Sequence, residues 1–296
     1  FLRLEDVENG KKEHAFLRHS FGVSEKESVK RLYTRAVSEF GLIPGKPLSY
    51  WVPRKLRDLY DSDFVLDEDN AGLPSRNGIG DIKQGLATAD DGRFLRNFWE
   101  TTESDSWVPF AKGGVDSWLL PRVIKTLYWN SDGTEIHRFV NSYPRNTDYY
   151  FSEGVTFNRV KTSGRRFGYL QEGSIFADKG PTIFPSVNTW RLISYTNSRL
   201  LTYLMLAQTT ERMWEVGQVS KVPWREEIES VETLETLSKR AVGQLVSKRQ
   251  YDFVSPYYSG PVLLDILGQS DTLDLHEHPH RELREQLTLD SRSSTA

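Results

Sequence analysis

Four cationic side chains lie within eight positions near the middle of the chain, in a segment rich in aromatic residues, glycines and hydroxyls. Arginine and lysine donate hydrogen bonds to phosphate oxygens and to O6 and N7 of guanine, and the hydroxyls and the amide between them also suit phosphate or adenine. The segment therefore fits a surface that grips a polyanion, or else a set of glycine-rich turns with solvated charges. The residues concerned are Arg159, Lys161, Arg165 and Arg166, with Thr156, Asn158, Thr162 and Ser163.

Charge is distributed unevenly around this segment. The net charge is −3, yet between Arg122 and Arg166 eight Lys or Arg stand against four Asp or Glu, a local +4. From Arg225 to the end, eight stand against thirteen, a local −5. A polyanion binder with a negative total must concentrate positive charge on one face, and loops on a β scaffold are a common place for recognition. The basic centre is therefore the candidate surface.

Composition excludes several classes of chemistry. The chain has no cysteine, which rules out disulfides, thiolate metal sites and cysteine nucleophiles. The absence of cysteine fits a cytoplasmic protein. No apolar run approaches the ~18 residues of a membrane span, so no membrane association is expected.

Three short patterns resemble fragments of known sites. A lone G-x-G lies within Asn77–Asp81, but it follows no predicted strand and opens no clear helix, which argues against a dinucleotide or S-adenosylmethionine loop. Asp81 and Lys83 match the end of a nuclease motif that occurs by chance in most chains of this length. The histidines of His276–His280 lie in a polar segment near the end of the chain, where a solvated tail is favoured over a zinc site. We therefore predict no catalytic, cofactor or metal site in this chain.

The elements that would position the basic segment change character along the chain. Ser24 and Glu27 form a capping box for a helix that continues to Phe40, and Pro53 opens a short helix that runs to about Tyr60. The residues Arg122–Val140 read as a β-hairpin, because strand formers precede the turn signal Ser-Asp-Gly.

Helical patterns return after Thr189. Two helices are predicted there, broken at Asn197, with Ser198 capping the second. A further helix is predicted over residues 225–249, where apolar residues are spaced by threes, and a polar tail of low order from Ser270. These apolar residues are Ile228, Val231, Leu234 and Leu237. The predicted class is α+β, with a strand-rich centre flanked by helical segments.

Six motifs appear in a fixed order across residues 44–224. They are "PGKPLSYWV" (44–52), "DIKQGLATADDGRFLR" (81–96), "WVPFAKGG" (107–114), the segment from Tyr143 to Pro185, "LISYTNSRLLTYLM" (192–205) and "EVGQVSKVPW" (215–224). This succession resembles the C-terminal half of PglX-type DNA adenine methyltransferases, which belong to phage-exclusion (BREX) and related restriction-modification systems. The last two motifs also resemble the end of a target-recognition domain in type I restriction specificity subunits.

The resemblance implies a division of the parent protein. In that family the catalytic half binds S-adenosylmethionine and carries an asparagine-proline-proline-aromatic motif, which this sequence lacks. The chain also lacks an initiator Met, so we expect it to be a piece of a longer protein. The expected organisation is a helical N-terminal segment (1–43), a DNA target-recognition domain (44–224), a helical C-terminal segment (225–269) and a flexible tail (270–296).

The resemblance also favours one interpretation of the basic residues. A recognition domain binds phosphates for register and base edges for sequence. It therefore implies double-stranded DNA as the partner of the basic segment, together with two further loops, one carrying Gln84, Thr88 and Arg93 and one carrying Lys112. The remaining expected partners are the methyltransferase half of the parent chain and other proteins of the defence system.

Other functions compete with DNA recognition. The acidic helical segment from Arg225 to about Lys248 could serve as a protein-interaction module, although an apolar stripe usually means internal packing. A restriction endonuclease or specificity-subunit fragment shares the recognition architecture, but no carboxylate cluster supports cleavage. Eight Trp and thirteen Tyr could stack on sugars, although these aromatics are scattered and core positions are favoured.

Overall fold

The computed structural model describes residues 7–20, 33–73, 75–101, 106–114, 118–161, 166–210 and 212–260. The chain divides into two compact units, Phe1–Leu245 and Val246–Ala296. Several predictions fall outside the described residues: the capping box of Ser24 and Glu27, the polar tail with its histidines, and three residues of the basic segment. Those three are Thr162, Ser163 and Arg165.

The described residues form short strands and mostly short helices. The α-helices are α1 (Lys12–Ser20), α2 (Arg54–Arg57), α3 (Glu68–Ala71), α4 (Asp91–Phe94), α5 (Asn130–Arg138), α6 (Thr189–Thr196), α7 (Arg199–Gln208), α8 (Val216–Val219) and α9 (Glu232–Arg249). The strands are β1 (Phe64–Val65), β2 (Asn77–Gly78), β3 (Gly80–Lys83), β4 (Leu95–Asn97), β5 (Trp107–Ala111), β6 (Lys125–Tyr128), β7 (Gly154–Phe157), β8 (Phe167–Leu170), β9 (Ile175–Phe176), β10 (Thr182–Pro185) and β11 (Pro223–Trp224). Short 3-10 helices cover Asn9–Lys11, Val37–Leu42, Asp58–Tyr60, Phe98–Glu100, Thr147–Tyr149 and Glu226–Ser230.

An antiparallel four-stranded sheet, in the order β3-β10-β7-β8, lies at the centre of the first unit. Ile183 on β10 pairs with Ile82 on β3 and with Val155 on β7, so β-branched side chains meet across three strands. All four residues of β7 are buried. Helix α6 packs against β7 and β8, and Leu192 and Ile193 join the same buried core.

A second four-stranded sheet, in the order β4-β6-β5-β9, encloses a separate aromatic core. Its strands are antiparallel except for β5 and β9, which run parallel with Phe110 opposite Ile175. The core of this sheet contains Phe94, Phe110 and Phe176, each almost fully buried. A third, smaller sheet has the order β11-β1-β2. Sheets and helices together confirm the α+β class.

The predicted pair of helices after Thr189 is confirmed. Helix α6 ends at Asn197, and the Ser198 side chain accepts a hydrogen bond from Leu201 N at 3.1 Å, which caps α7. Asn188 caps α6 in the same way. The short helix after Pro53 is also confirmed as α2 with the 3-10 turn that follows it.

The predicted hairpin over residues 122–140 is wrong. Strand β6 pairs with β4 and β5 instead, and the residues after it enter α5. The turn chemistry itself is present, because Ser131, Asp132 and Gly133 all have positive φ. A Cβ on Gly133 would lie 2.6 Å from the Trp129 ring, so the backbone packs closely against that ring. The chain therefore continues into α5 and does not form a second hairpin strand beside β6.

The predicted N-terminal helix and the predicted C-terminal apolar stripe are also corrected. Residues 33–36 are not helical and Val37–Leu42 is a 3-10 helix, so the predicted N-terminal helix does not reach Phe40 as an α-helix. In the C-terminal segment Val231 and Leu237 are exposed. Val231 precedes α9, and within α9 the step of three residues from Leu234 to Leu237 is a rotation of about 60° on a 3.6-residue helix, which turns Leu237 away from the side of Leu234. Within the first unit, α9 buries Ser238 and Val242 instead.

Candidate nucleic-acid interface

Two of the predicted loops meet at an ion pair. Lys112, which directly follows β5, contacts Asp91 at the start of α4 through its Nζ. Thr88 Oγ1 donates a hydrogen bond to the same carboxylate at 2.6 Å. Burial by itself raises the pKa of Asp91, but the hydrogen bonds from Lys112 and Thr88 outweigh it and hold the pKa below its ordinary value. The loop that carries Thr88 is thereby tied to Lys112.

A close backbone contact joins the Lys112 loop to the turn before β10. Gly113 has φ +72°, and a Cβ there would lie 2.7 Å from the backbone of Lys179 and Gly180. Only glycine combines this left-handed conformation with so close an approach. The next amide, Gly114 N, donates a hydrogen bond of 2.7 Å to Oδ1 of the buried Asn158. The Lys112 loop therefore touches both the turn and the basic segment.

The basic segment runs beside the loop that follows α7. Trp214 N donates to Arg159 O at 2.9 Å, and Lys161 N donates to Arg212 O at 3.0 Å. The Arg159 guanidinium forms an ion pair of 2.9 Å with Glu215. Five segments thus form one continuous surface, which we name the loop surface. It comprises residues 88–91, 112–114, 158–161, 178–180 and 212–215.

Arg166 lies beneath this surface rather than on it. Its side chain is 1% exposed, and its guanidinium lies 4.3 Å from the centre of the Trp214 ring. It donates hydrogen bonds to the carbonyl oxygens of Lys161 (2.8 Å), Asn158 (3.2 Å) and Arg159 (3.3 Å). The guanidinium therefore holds the curve of the basic segment from inside.

Other predicted residues have internal contacts as well. Thr156 is buried, and its hydroxyl lies within hydrogen-bond distance of the carbonyls of Gly180 and Pro181. Gln84 accepts a hydrogen bond of 2.8 Å from Arg145, which lies outside the loop surface. Thr156 therefore supports the turn before β10 from the inside of the protein. Gln84 is bonded to Arg145 and is not part of the loop surface.

Arg93 points away from the loop surface. Its guanidinium forms an ion pair of 2.6 Å with Glu135 on α5 and lies over the Phe94 and Phe139 rings. It lines an open cavity of about 410 Å³ with residues of β6 and α5. The structure therefore joins Thr88, Lys112 and the basic segment, while Arg93 belongs to a different part of the first unit.

Two exposed cations of the loop surface were missed by the sequence interpretation. Lys179 lies in the turn against Gly113, and Arg212 lies beside Lys161. Neither side chain forms an ion pair with any residue that the structure describes. The Asp178–Gly180 stretch forms a turn, with Gly180 N donating to Ala177 O. No local pattern places Arg212, because its neighbours on the surface are about fifty residues away in the chain.

The patterns considered for other chemistries have structural roles. Gly78 lies in β2 and Gly80 in β3, and a Cβ on Gly80 would lie 2.5 Å from Phe184 O. The G-x-G therefore permits close strand packing and does not open a cofactor loop. Asp81 and Lys83 form an ion pair of 2.8 Å along β3. Among the described residues, no group of three His, Cys, Asp or Glu could hold a metal ion.

A membrane-spanning helix is also missing from the part of the chain that the structure describes, since none of its helices is both long and apolar enough.

Comparison with known proteins points to one class, the adenine-specific methyltransferases. No family model matches the chain. It is 22% identical over 248 residues to the adenine-specific methyltransferase PglX of Lacticaseibacillus casei (strain Zhang), which covers 75% of this chain and 20% of the relative. It is 25% identical over 219 residues to the adenine-specific methyltransferase BrxX of Escherichia coli O9:H4 (strain HS), covering 69% of this chain and 17% of the relative. The resemblance to PglX-type proteins is confirmed, and the chain spans about a fifth of the length of these relatives.

Proposed function

We propose that the chain is the double-stranded DNA recognition module of an adenine-specific methyltransferase in phage defence or restriction-modification. The observation that carries the proposal is the convergence of separate loops into one surface bearing five cations. These cations are Lys112, Arg159, Lys161, Lys179 and Arg212. The similarity to adenine-specific methyltransferases supports DNA as the polyanion.

The proposed surface divides its residues by role. Exposed cations would contact phosphates. Gly113 and Gly114 would shape the Lys112 loop, because Gly113 lies against the backbone of Gly180 and the Gly114 amide is bonded to Asn158. Arg166, Asn158 and Thr156 would support the loops from inside. Thr88 would orient Asp91, and Asp91 would hold Lys112 in the free protein until a phosphate replaces the carboxylate. No DNA contact is proposed for Gln84 or Arg93, because their partners lie elsewhere in the first unit.

Methyl transfer in the proposed parent would depend on S-adenosylmethionine held outside this chain. The G-x-G does not fit that cofactor, because a Cβ on Gly80 would lie 2.5 Å from Phe184 O and one on Gly78 would lie 2.8 Å from Glu68 N. We therefore assign no catalytic residue to this chain. Its proposed partners within the parent are the methyltransferase half and, beyond it, other proteins of the defence system.

Titration of the chain with a fluorescent duplex at several salt concentrations tests the proposal. The logarithm of the association constant falls with the logarithm of salt concentration by about 0.9 for each phosphate neutralised. Two cations, Lys179 and Arg212, have no ion-pair partner among the described residues. Their engagement alone predicts a slope of log association constant against log salt concentration of about −1.8, and further contacts would make the slope steeper. Engagement of all five would give about −4.5. Absence of binding, or binding that ignores salt, contradicts the proposal.

Charge-removing variants localise the binding. Lys179→Gln and Arg212→Gln should each weaken binding to every duplex and reduce the magnitude of the slope by about 1. Lys55→Gln is the matched control, because Lys55 is an exposed lysine on α2. Equal effects of the three substitutions would show that binding is spread over the whole protein and not localised at the loop surface.

A further inference from the structure

Beside the cations of the loop surface, two apolar side chains lie next to each other. Val160 and Met213 face each other in an isolated antiparallel bridge. Backbone hydrogen bonds of 3.0 and 2.9 Å flank the pair on either side, so the pair itself is of the non-hydrogen-bonded kind. Such pairs bring their side chains close together on one face. The two residues therefore form one small apolar surface on a backbone that is fixed at both sides.

The two faces of this bridge differ sharply in exposure. Val160 is 52% exposed and Met213 is 43% exposed, whereas the next residue, Trp214, is only 2% exposed. Side chains alternate between faces along an extended chain. Trp214 packs against Phe167 and under the Arg166 guanidinium, so it anchors the inner face. The outer face is left with two adjacent apolar side chains in water.

The residues around the pair identify the partner by charge. Arg159 and Lys161 are the chain neighbours of Val160, and the exposed Arg212 precedes Met213. Alternation starts these three side chains on the face of Trp214, but the Arg159 guanidinium reaches Glu215, whose side chain starts on the face of Met213. A cation beside an apolar pair complements a ligand whose anionic groups flank an apolar one. Duplex DNA has this arrangement in its major groove, where phosphates flank the base edges and the C5-methyl group of thymine is the apolar feature.

We propose that Val160 and Met213 contact thymine methyl groups in the DNA sequence that the chain recognises. The inference rests on the proposed DNA-binding function and adds a means of reading sequence to it. Arginine and lysine contacts to phosphate fix the position of a protein but carry no sequence information. The apolar pair would supply discrimination at positions that carry thymine.

The test first selects bound duplexes from a random pool with the full 296-residue chain. Each thymine of the selected sequence is then replaced by deoxyuridine, which lacks only the methyl group. Loss of one buried methyl-sized contact weakens binding about fourfold, equivalent to about 0.8 kcal/mol. The wild-type chain should show this loss at one or two positions. Val160→Thr and Met213→Gln, which keep side-chain size but add polarity, should bind the thymine and deoxyuridine duplexes equally.

Control variants and outcomes separate this inference from the function on which it rests. Val140→Thr is the matched control, because Val140 is 76% exposed and lies after α5, away from the bridge. Salt-dependent binding with no sequence preference, or equal affinity of the wild type for all deoxyuridine duplexes, overturns the inference alone. A selected sequence without thymine also lacks adenine and counts against the proposed function as well. The inference is also overturned if the two variants lose affinity equally for every duplex but still bind thymine duplexes more tightly than deoxyuridine duplexes. Absence of DNA binding overturns the proposed function itself.

Discussion

Replacing Arg166 by methionine tests whether this cation supports the loop surface or contacts DNA. The side chain is 1% exposed and donates to three backbone carbonyls, of which the bond to Lys161 O is the shortest at 2.8 Å. Hydrogen bonds from a charged donor contribute about 1.5–3 kcal/mol, and a buried carbonyl left unsatisfied costs about 1–3 kcal/mol. Methionine can still pack on the Trp214 ring. We therefore expect the free energy of unfolding to fall by about 3 kcal/mol. This figure counts the loss of the 2.8 Å hydrogen bond and the cost of leaving its acceptor, Lys161 O, without that donor.

Thermal unfolding followed by circular dichroism measures this loss. A fall of about 3 kcal/mol in a protein of this size lowers Tm by about 6–12 °C. Arg166→Lys is the informative companion, because lysine keeps the charge but not the planar fork that reaches several carbonyls. If Arg166 is internal, the lysine variant also loses stability. The internal role would be refuted if both variants kept the wild-type Tm and the methionine variant reduced the magnitude of the salt slope of DNA binding by about 0.9.

Three further substitutions probe the loops. Gly113→Ala should lower stability by more than Gly114→Ala in thermal melts, because both glycines have positive φ but only at Gly113 would a Cβ collide with backbone, at 2.7 Å; equal losses would contradict the close contact. Asp91→Asn should free Lys112 and strengthen DNA binding about 1.5- to 5-fold in anisotropy titrations. Burial raises the Asp91 pKa, but hydrogen bonds from Lys112 and Thr88 lower it overall, so the ion pair stabilises the fold above the ordinary aspartate pKa. The stability difference between wild type and Asp91→Asn should therefore shrink as the pH falls below about 4, and a pH-independent difference would count against the ion pair. Ser198→Ala should cost about 1 kcal/mol in denaturant unfolding through loss of the α7 cap, and an unchanged midpoint would show that the cap is dispensable.

Local chemistry predicted those parts of the fold that depend on neighbours in sequence. The break at Asn197 and the cap at Ser198 follow from one short stretch, because a cap is satisfied by an amide three residues away. Pro53 begins α2 for a similarly local reason. Turn residues were also located correctly at Asp132 and Gly133, since their positive φ is intrinsic to these residue types.

Long-range pairing could not be predicted in the same way. The partners of β6 are β4 and β5, and a strand sequence followed by Asp-Gly is compatible with several neighbours. The burial of Arg166 depends on Trp214, which lies 48 positions further along. An arginine covered by a distant ring and one facing solvent look alike in sequence, so the basic cluster was interpreted as uniformly exposed. Arg212 was missed for the same reason.

The charge balance of the loop surface bears on how such a module would discriminate between sequences. Its five cations share the surface with Asp90, Asp91, Asp178 and Glu215, which leaves a surplus of one positive charge. Fields from charges more than about 8–10 Å away are screened in physiological salt, so the charge of the loop surface weighs more in its attraction to DNA than the net charge of −3. A surplus of one gives only weak attraction to arbitrary sequences. Because Lys112 and Arg159 are held by carboxylates in the free protein, a phosphate must compete for each, which raises the relative weight of base contacts. We therefore expect the ratio of specific to non-specific affinity, and not the absolute affinity, to collapse when the base-reading residues are changed.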